Sequence, residues 1–97
     1  MAEYIDDEFE WDIEKSSDTR RRHSIDFFFA ARLFEGEYVM LFDTAHSTHE
    51  CRYKCIGPIS GALFVVIYTD RGSRKRIISA RPASKRDIDD YSKEAGV

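Results

Sequence analysis

Residues 62–69 read Ala-Leu-Phe-Val-Val-Ile-Tyr-Thr, an unbroken run of apolar and β-branched side chains closed by one threonine. Such a run suits a central β-strand covered on both faces. Turn-forming stretches bound it on either side, Gly57-Pro58-Ile59-Ser60-Gly61 before and Asp70-Arg71-Gly72-Ser73 after. The chain must therefore double back twice. The strands that fit are Cys51–Ile56 before the run and Arg74–Arg81 after it, with Tyr38–Phe42 one step further out. The second half thus reads as a four-strand antiparallel meander, with pairing stopped at Pro82, which has no N–H to donate.

The first half reads as helix. Glu8–Trp11 alternates enough for a short strand, and Asp12 is placed to cap a helix over about 13–22. Arg20, Arg21 and Arg22 fall at its C-terminal end, where the helix dipole favours cations. Asp26 caps a second helix in which Phe27, Ala30, Ala31 and Phe34 recur at the spacing of one buried face, ended by Gly36. Phe28 and Phe29 fall outside that face, and they either widen the core contact or leave an apolar patch for a partner. Ser84 starts a last helix with Asp87 in a capping-box variant and Ile88, Tyr91 and Ala95 as its inner stripe. The fold class is α+β, with an antiparallel sheet, two N-terminal helices and one C-terminal helix.

At 97 residues, 1–97 is expected to be a single domain. No apolar run approaches the roughly 20 residues that cross a bilayer, and the acidic start lacks the basic region of a secretion signal, so the expected compartment is the cytoplasm. The net charge of −3 hides an asymmetry. Residues 1–14 hold seven acids and no base, so the rest carries 15 bases against 11 acids. The first seven residues are expected to form a flexible acidic leader, a solvated tail rather than a lid over a basic site. Arg71, Arg74, Lys75, Arg76, Arg81, Lys85 and Arg86 gather seven bases in a stretch without an acid. Such a cluster attracts a polyanion locally, because screening confines the field to about 8 Å.

His46, His49, Cys51 and Cys55 put four soft ligands in ten residues. On a strand the two cysteines would lie about 13 Å apart, too far to share one metal ion or a disulfide. The reading is two reduced, buried thiols and no metal. Period-two alternation places Glu50, Arg52 and Lys54 on the face away from the cysteines. Glu50 and Arg52 form either a surface ion pair or, if that face lines a groove, a proton acceptor beside a phosphate-binding guanidinium. In Arg74–Arg81, Arg76, Ile78 and Ala80 are expected on one face, with Lys75, Ile77, Ser79 and Arg81 on the other. Arg81 closes its strand. His23 suits a helix C-terminus and is also the natural proton carrier near neutral pH.

Several motifs together resemble one family. Phe9-x-Trp11-Asp12-x-x-Lys15, Arg22-His23 and Phe27-x-x-Ala30-Ala31-Arg32-x-Phe34 look like the N-terminal half of BrnT-type toxins. Asp43, Glu50-x-Arg52, Ile56-Gly57, Val66-x-Tyr68-Thr69, the run Arg76-Ile77-Ile78-Ser79-Ala80-Arg81-x-Ala83 and Tyr91 extend the resemblance over about residues 8–93. It implies a RelE-like fold and a ribonuclease toxin of a type II toxin-antitoxin pair that cleaves RNA without metal or cofactor and arrests growth. It also implies a neutralising BrnA-type antitoxin with a ribbon-helix-helix segment, operator DNA reached only through that antitoxin, and a higher-order complex. The family's recurring polar residues fall on Lys15, His23, Glu50, Arg52, Arg76, Arg81 and Tyr91. Thr19 stands where the family usually has Asn, and Ser24 where it has Gly.

On this reading Arg81 and Arg52 grip the scissile phosphate, and Glu50 or His23 moves the proton. Lys15, Arg76 and Arg86 bind flanking phosphates, and Tyr91 stacks on a base or donates a proton. Phe28 and Phe29, at positions commonly polar, belong to the antitoxin-binding surface. The rival is a non-catalytic module that holds an antitoxin or nucleic acid through the same basic strand; a zinc-binding regulator is a weaker one.

Overall fold

The computed structural model describes residues 2–43 and 50–97. In chain order come β1 (Glu3–Ile5), β2 (Phe9–Asp12), α1 (Ile13–His23), α2 (Phe27–Ala31) and a 3-10 turn (Arg32–Glu35). These are followed by β3 (Val39–Phe42), β4 (Arg52–Ile59), β5 (Ala62–Arg71), β6 (Arg74–Pro82) and α3 (Lys85–Ala95). Among the described residues the strands form one six-stranded sheet in the order β1-β2-β6-β5-β4-β3.

The meander from β3 to β6 is antiparallel, as its turn residues require. The sheet as a whole is mixed, because β2 runs parallel to β6, with Glu10 opposite Arg76. A parallel pair needs a long crossover, and here all of the chain between β2 and β6 supplies it. The first hairpin is tighter than its sequence suggested. Gly57, Pro58 and Ile59 stay in β4, and only Ser60 and Gly61 turn, both at positive φ (52° and 88°). That is the backbone a two-residue hairpin demands. Gly57 serves another purpose: a Cβ there would lie 2.8 Å from the Tyr38 Cβ.

Residues 3–5 do not form the flexible leader expected of them; they are an edge strand paired antiparallel to β2. Asp6 makes the turn, its carboxylate accepting from the Glu8 and Phe9 N–H groups at 2.7 Å each and from the Tyr4 hydroxyl at 2.8 Å. Tyr4 then stacks on Trp11 with ring centroids 4.3 Å apart. An acidic composition concealed a turn residue and an aromatic anchor.

Asp12 caps α1 and Asp26 caps α2, each accepting a backbone N–H. Ser24 ends α1 in the left-handed region at φ 62°, doing as a serine what glycine does more cheaply. Ser16 ties the two helices together by accepting the Phe27 N–H at 2.9 Å. Both helices cover one face of the sheet. Its core holds Trp11, Phe27, Ala30, Leu33, Cys55, Val66, Ile77 and Ala80, all nearly inaccessible. Leu33 takes the inner place expected of Phe34, because the chain tightens into the 3-10 turn after Ala31.

The inner stripe of α3 also differs. Ile88 and Ala95 are exposed, Tyr91 is half-buried, and the buried residue is Asp87. Ion pairs tie this helix to the opposite face of the sheet, where Ile56 and Val65 are also buried, and the capping box stands intact between Ser84 and Asp87.

Candidate functional site

The face of the sheet away from α1 and α2 carries three of the candidate residues, Arg52, Arg76 and Arg81. Cross-strand partners share a face, so Arg52, opposite Thr69, and Thr69, opposite Arg76, stand on one side. Lys54 and Ser79 flank Ile67 in the next row, and Ile56 and Arg81 flank Val65 beyond it. A bulge in β6 makes this possible. Ile67 pairs with Ser79 but Tyr68 pairs with Ile77, so Ile78 has no opposite number. The extra residue reverses the alternation. Arg76 therefore joins Ser79 and Arg81, while Ile77 joins Ala80 in the core, unlike the strict period-two assignment.

Arg52 lies with Asp43, Ile67, Ile78 and Ser79 around a cleft of about 160 Å³. Arg81 is on the same face but does not line that cleft. Four residues along the strand and two strands across put their Cα atoms about 16 Å apart. Lys54 stands between them. Its Nζ lies 2.7 Å from Asp87 Oδ1, and Arg81 Nη1 donates to Asp87 Oδ2 at 2.5 Å. Ser84 adds its N–H and hydroxyl to Oδ2, each at 2.8 Å. Burial works to raise the Asp87 carboxyl, but the hydrogen bonds from Arg81, Lys54 and Ser84 outweigh it and hold the group well below the usual carboxylate range.

Glu50 is bound by Arg71. Its two oxygens accept from Arg71 Nε and Nη2 at 3.3 Å each. The Arg71 hydrogen bond, opposed in part by burial, holds the Glu50 carboxyl below its ordinary value, with help from the charges of Arg71 and Arg52. Arg76 is committed within the molecule. Its Nη1 donates to Glu3 at 2.5 Å and to Glu10 at 2.9 Å, and its side chain is 19% exposed. This pairing leaves little of its charge for a flanking phosphate.

The other candidates scatter. Lys15 and His23 are exposed on α1, on the helix-covered side of the sheet. Arg86 is exposed in the first turn of α3. Tyr91 lies toward the far end of α3 in a cavity of about 440 Å³ shared with Glu37, Tyr38 and Glu94, whose two carboxylates repel phosphate. Phe28 is 56% exposed and meets Tyr4 and Trp11 edge-on at 4.7 and 4.9 Å, walling an open cavity of about 250 Å³ with Ile13 and Arg20. Phe29 is half-buried against Phe64, with the Arg32 guanidinium over its ring.

Cys55 is buried and its thiol is pushed up to about 12 by burial, which removes it as a nucleophile. Cys51 is exposed rather than buried, and both thiols are free. His46 and His49 lie outside the described residues. Among the described residues no three His, Cys, Asp or Glu side chains group closely enough to hold a metal ion, and no helix is long and apolar enough to cross a membrane.

Sequence reasoning missed the roles of Lys54 and Asp87. The alternation Arg52-x-Lys54 already put Lys54 on the right face. Asp87 was hidden behind its capping role, because one carboxylate does both jobs.

No curated protein matches the chain. Residues 11–87, most of its length and the whole stretch from Trp11 to Asp87, match the family described as the ribonuclease toxin BrnT of type II toxin-antitoxin systems. With the meander, the first two helices and Arg52, Arg76 and Arg81 of the basic face inside the match, the chain belongs to the BrnT family of ribonuclease toxins.

Proposed function

We propose that this chain is a metal-independent endoribonuclease that arrests growth and is neutralised by a BrnA-type antitoxin. The observation that carries the reading is the basic sheet face opposite the helices, where Arg52 and Arg81 lie on two strands with a cleft beside Arg52. Guanidinium groups in fixed positions stabilise the charge that builds on a phosphodiester during attack. Glu50, ionised at neutral pH and two residues from Arg52, takes the proton of a ribose 2′-hydroxyl. The 2′-oxygen bonds to phosphorus, the bond to the 5′-oxygen breaks, and that oxygen leaves with a proton from solvent. His23 stands on the other side of the sheet and has no part in this scheme. Arg86, exposed in the first turn of α3, contacts a flanking phosphate.

The test is incubation of the purified protein with RNA in EDTA, followed by analysis of product ends. A 2′,3′-cyclic phosphate is expected, and Arg81→Ala should lower cleavage by about 100-fold or more. Intact RNA with tight antitoxin binding would instead establish the binding module.

The antitoxin docks on the patch built by Phe28, Tyr4 and Trp11, because a half-exposed aromatic at the mouth of an open apolar cavity suits a partner side chain. Phe28→Glu should weaken antitoxin binding by tenfold or more, roughly the loss of one aromatic contact, with the fold intact. Phe29→Glu should instead lower stability, since Phe29 packs on Phe64. Unchanged antitoxin affinity in Phe28→Glu would move the interface elsewhere.

A further inference from the structure

The basic face holds a cation outside the motifs that identify the family. Lys54 sits on β4 two residues from Arg52, with its side chain 24% exposed. It reaches Arg81 through Asp87, whose side chain is 3% exposed. The donor and acceptor count is uneven. Asp87 accepts from Lys54 on Oδ1 and from Arg81 and twice from Ser84 on Oδ2, four contacts in all. The cations are not filled. Lys54 spends one contact of its three donors, and Arg81 spends only Nη1, on Asp87 and the Pro82 carbonyl. Arg81 Nε and Nη2 have no protein partner among the described residues, and its side chain is 37% exposed. Two cations around one anion leave a net positive charge. A carboxylate that fixes two bases and leaves their other donors open has prepaid the ordering that a ligand would otherwise impose.

We propose that Lys54 and Arg81 form a two-cation seat for a phosphate of the RNA strand, with Asp87 as the positioning residue that fixes both. The proposal rests on the ribonuclease reading above. The rival role for the triad is anchorage of α3 alone. It makes Lys54 and Arg81 partners of a helix and leaves RNA affinity indifferent to which base is present.

The experiment compares wild type, Lys54→Gln, Lys54→Arg and Asp87→Asn. It measures binding of a single-stranded RNA oligonucleotide across a salt series, cleavage kinetics, and helical content by circular dichroism. Lys54→Gln should raise KM about tenfold, as expected for one charge-assisted contact, and flatten the log–log salt slope by about 0.7. Lys54→Arg, which keeps the charge and the stem, should restore both. Asp87→Asn makes the protein more positive by one charge. Anchorage alone therefore predicts RNA binding as tight or tighter and kcat unchanged; positioning predicts that kcat falls while affinity holds.

Wild-type cleavage with an unchanged KM and salt slope in a helical Lys54→Gln protein overturns the seat and leaves the ribonuclease reading standing. Wild-type protein that leaves RNA intact overturns both. If Lys54→Gln loses helical content, Asp87→Asn decides. A folded Asp87→Asn protein whose kcat falls while affinity holds upholds the seat, and one with wild-type kcat overturns it.

Discussion

The two faces of one sheet are built on different chemistry. The face under α1 and α2 is held by aromatic and aliphatic packing: Trp11 between Tyr4 and Phe27, Phe34 against Tyr68, and Cys55, Val66 and Ala80 in register across three strands. The face under α3 buries only a small apolar pair, Ile56 and Val65, and adds charge, through Asp87 to Lys54 and Arg81 at one end and Glu3 and Glu10 to Arg76 at the other. Apolar packing is non-directional and can be dense without naming partners. Ionic contacts satisfy specific donors and leave others open. A fold can thus take most of its stability from one side and keep the other for a charged ligand.

The comparison is broken most severely by Trp11→Ala, which removes a 1% exposed ring from the packed face. Loss of about 3–5 kcal/mol is expected, read from urea unfolding. A loss under about 1 kcal/mol would mean that the charged face contributes more than its burial suggests.

Asp87→Asn touches the other face and should cost about 1–2 kcal/mol at pH 7, the scale of charge-assisted hydrogen bonds. Its pH dependence sharpens the contrast. The Asp87 carboxyl is depressed in the folded protein, so its stabilisation is fully present above the ordinary value of 3.8 and is lost as pH falls through the lower folded value. Acid unfolding of Asp87→Asn should therefore be shallower below about pH 4 than that of the wild type. Parallel acid curves would show that the triad contributes nothing to stability.

The change least tied to either face is the deletion of residues 2–7, which span β1 and its turn at the edge of the sheet. The deletion uncovers Trp11 by removing the stacked Tyr4 and leaves Arg76 with Glu10 alone. Trp11 emission should shift to the red, and RNA affinity should rise as Arg76 loses one of its two carboxylates. Unchanged emission would return the segment to the status of a solvated tail.

Much of this was legible in local sequence. The β-branched run 62–69, the Gly72 turn and the Asp12, Asp26 and Ser84 caps each rest on interactions within a few residues, and each stands in the structure, whereas the turn at 57–61 narrowed to Ser60-Gly61 and the spacing from Phe27 gave way to Leu33 after Ala31. The motifs around Trp11, Arg52 and Arg81 were equally local, and they identified the family.

What the sequence could not determine were relations between distant positions. The parallel pairing of β2 with β6 joins segments more than 60 residues apart, and no local pattern encodes it. The bulge at Ile78 depends on how β5 meets β6, yet it decides which arginines share a face. Arg76 read as a free base until Glu3 and Glu10 came up beside it, and Asp87 as a cap until Lys54 and Arg81 closed on it. Charge in a sequence states how many groups can bind; only tertiary proximity, through the steep dependence of electrostatic and hydrogen-bond energy on distance, decides which of them are already taken.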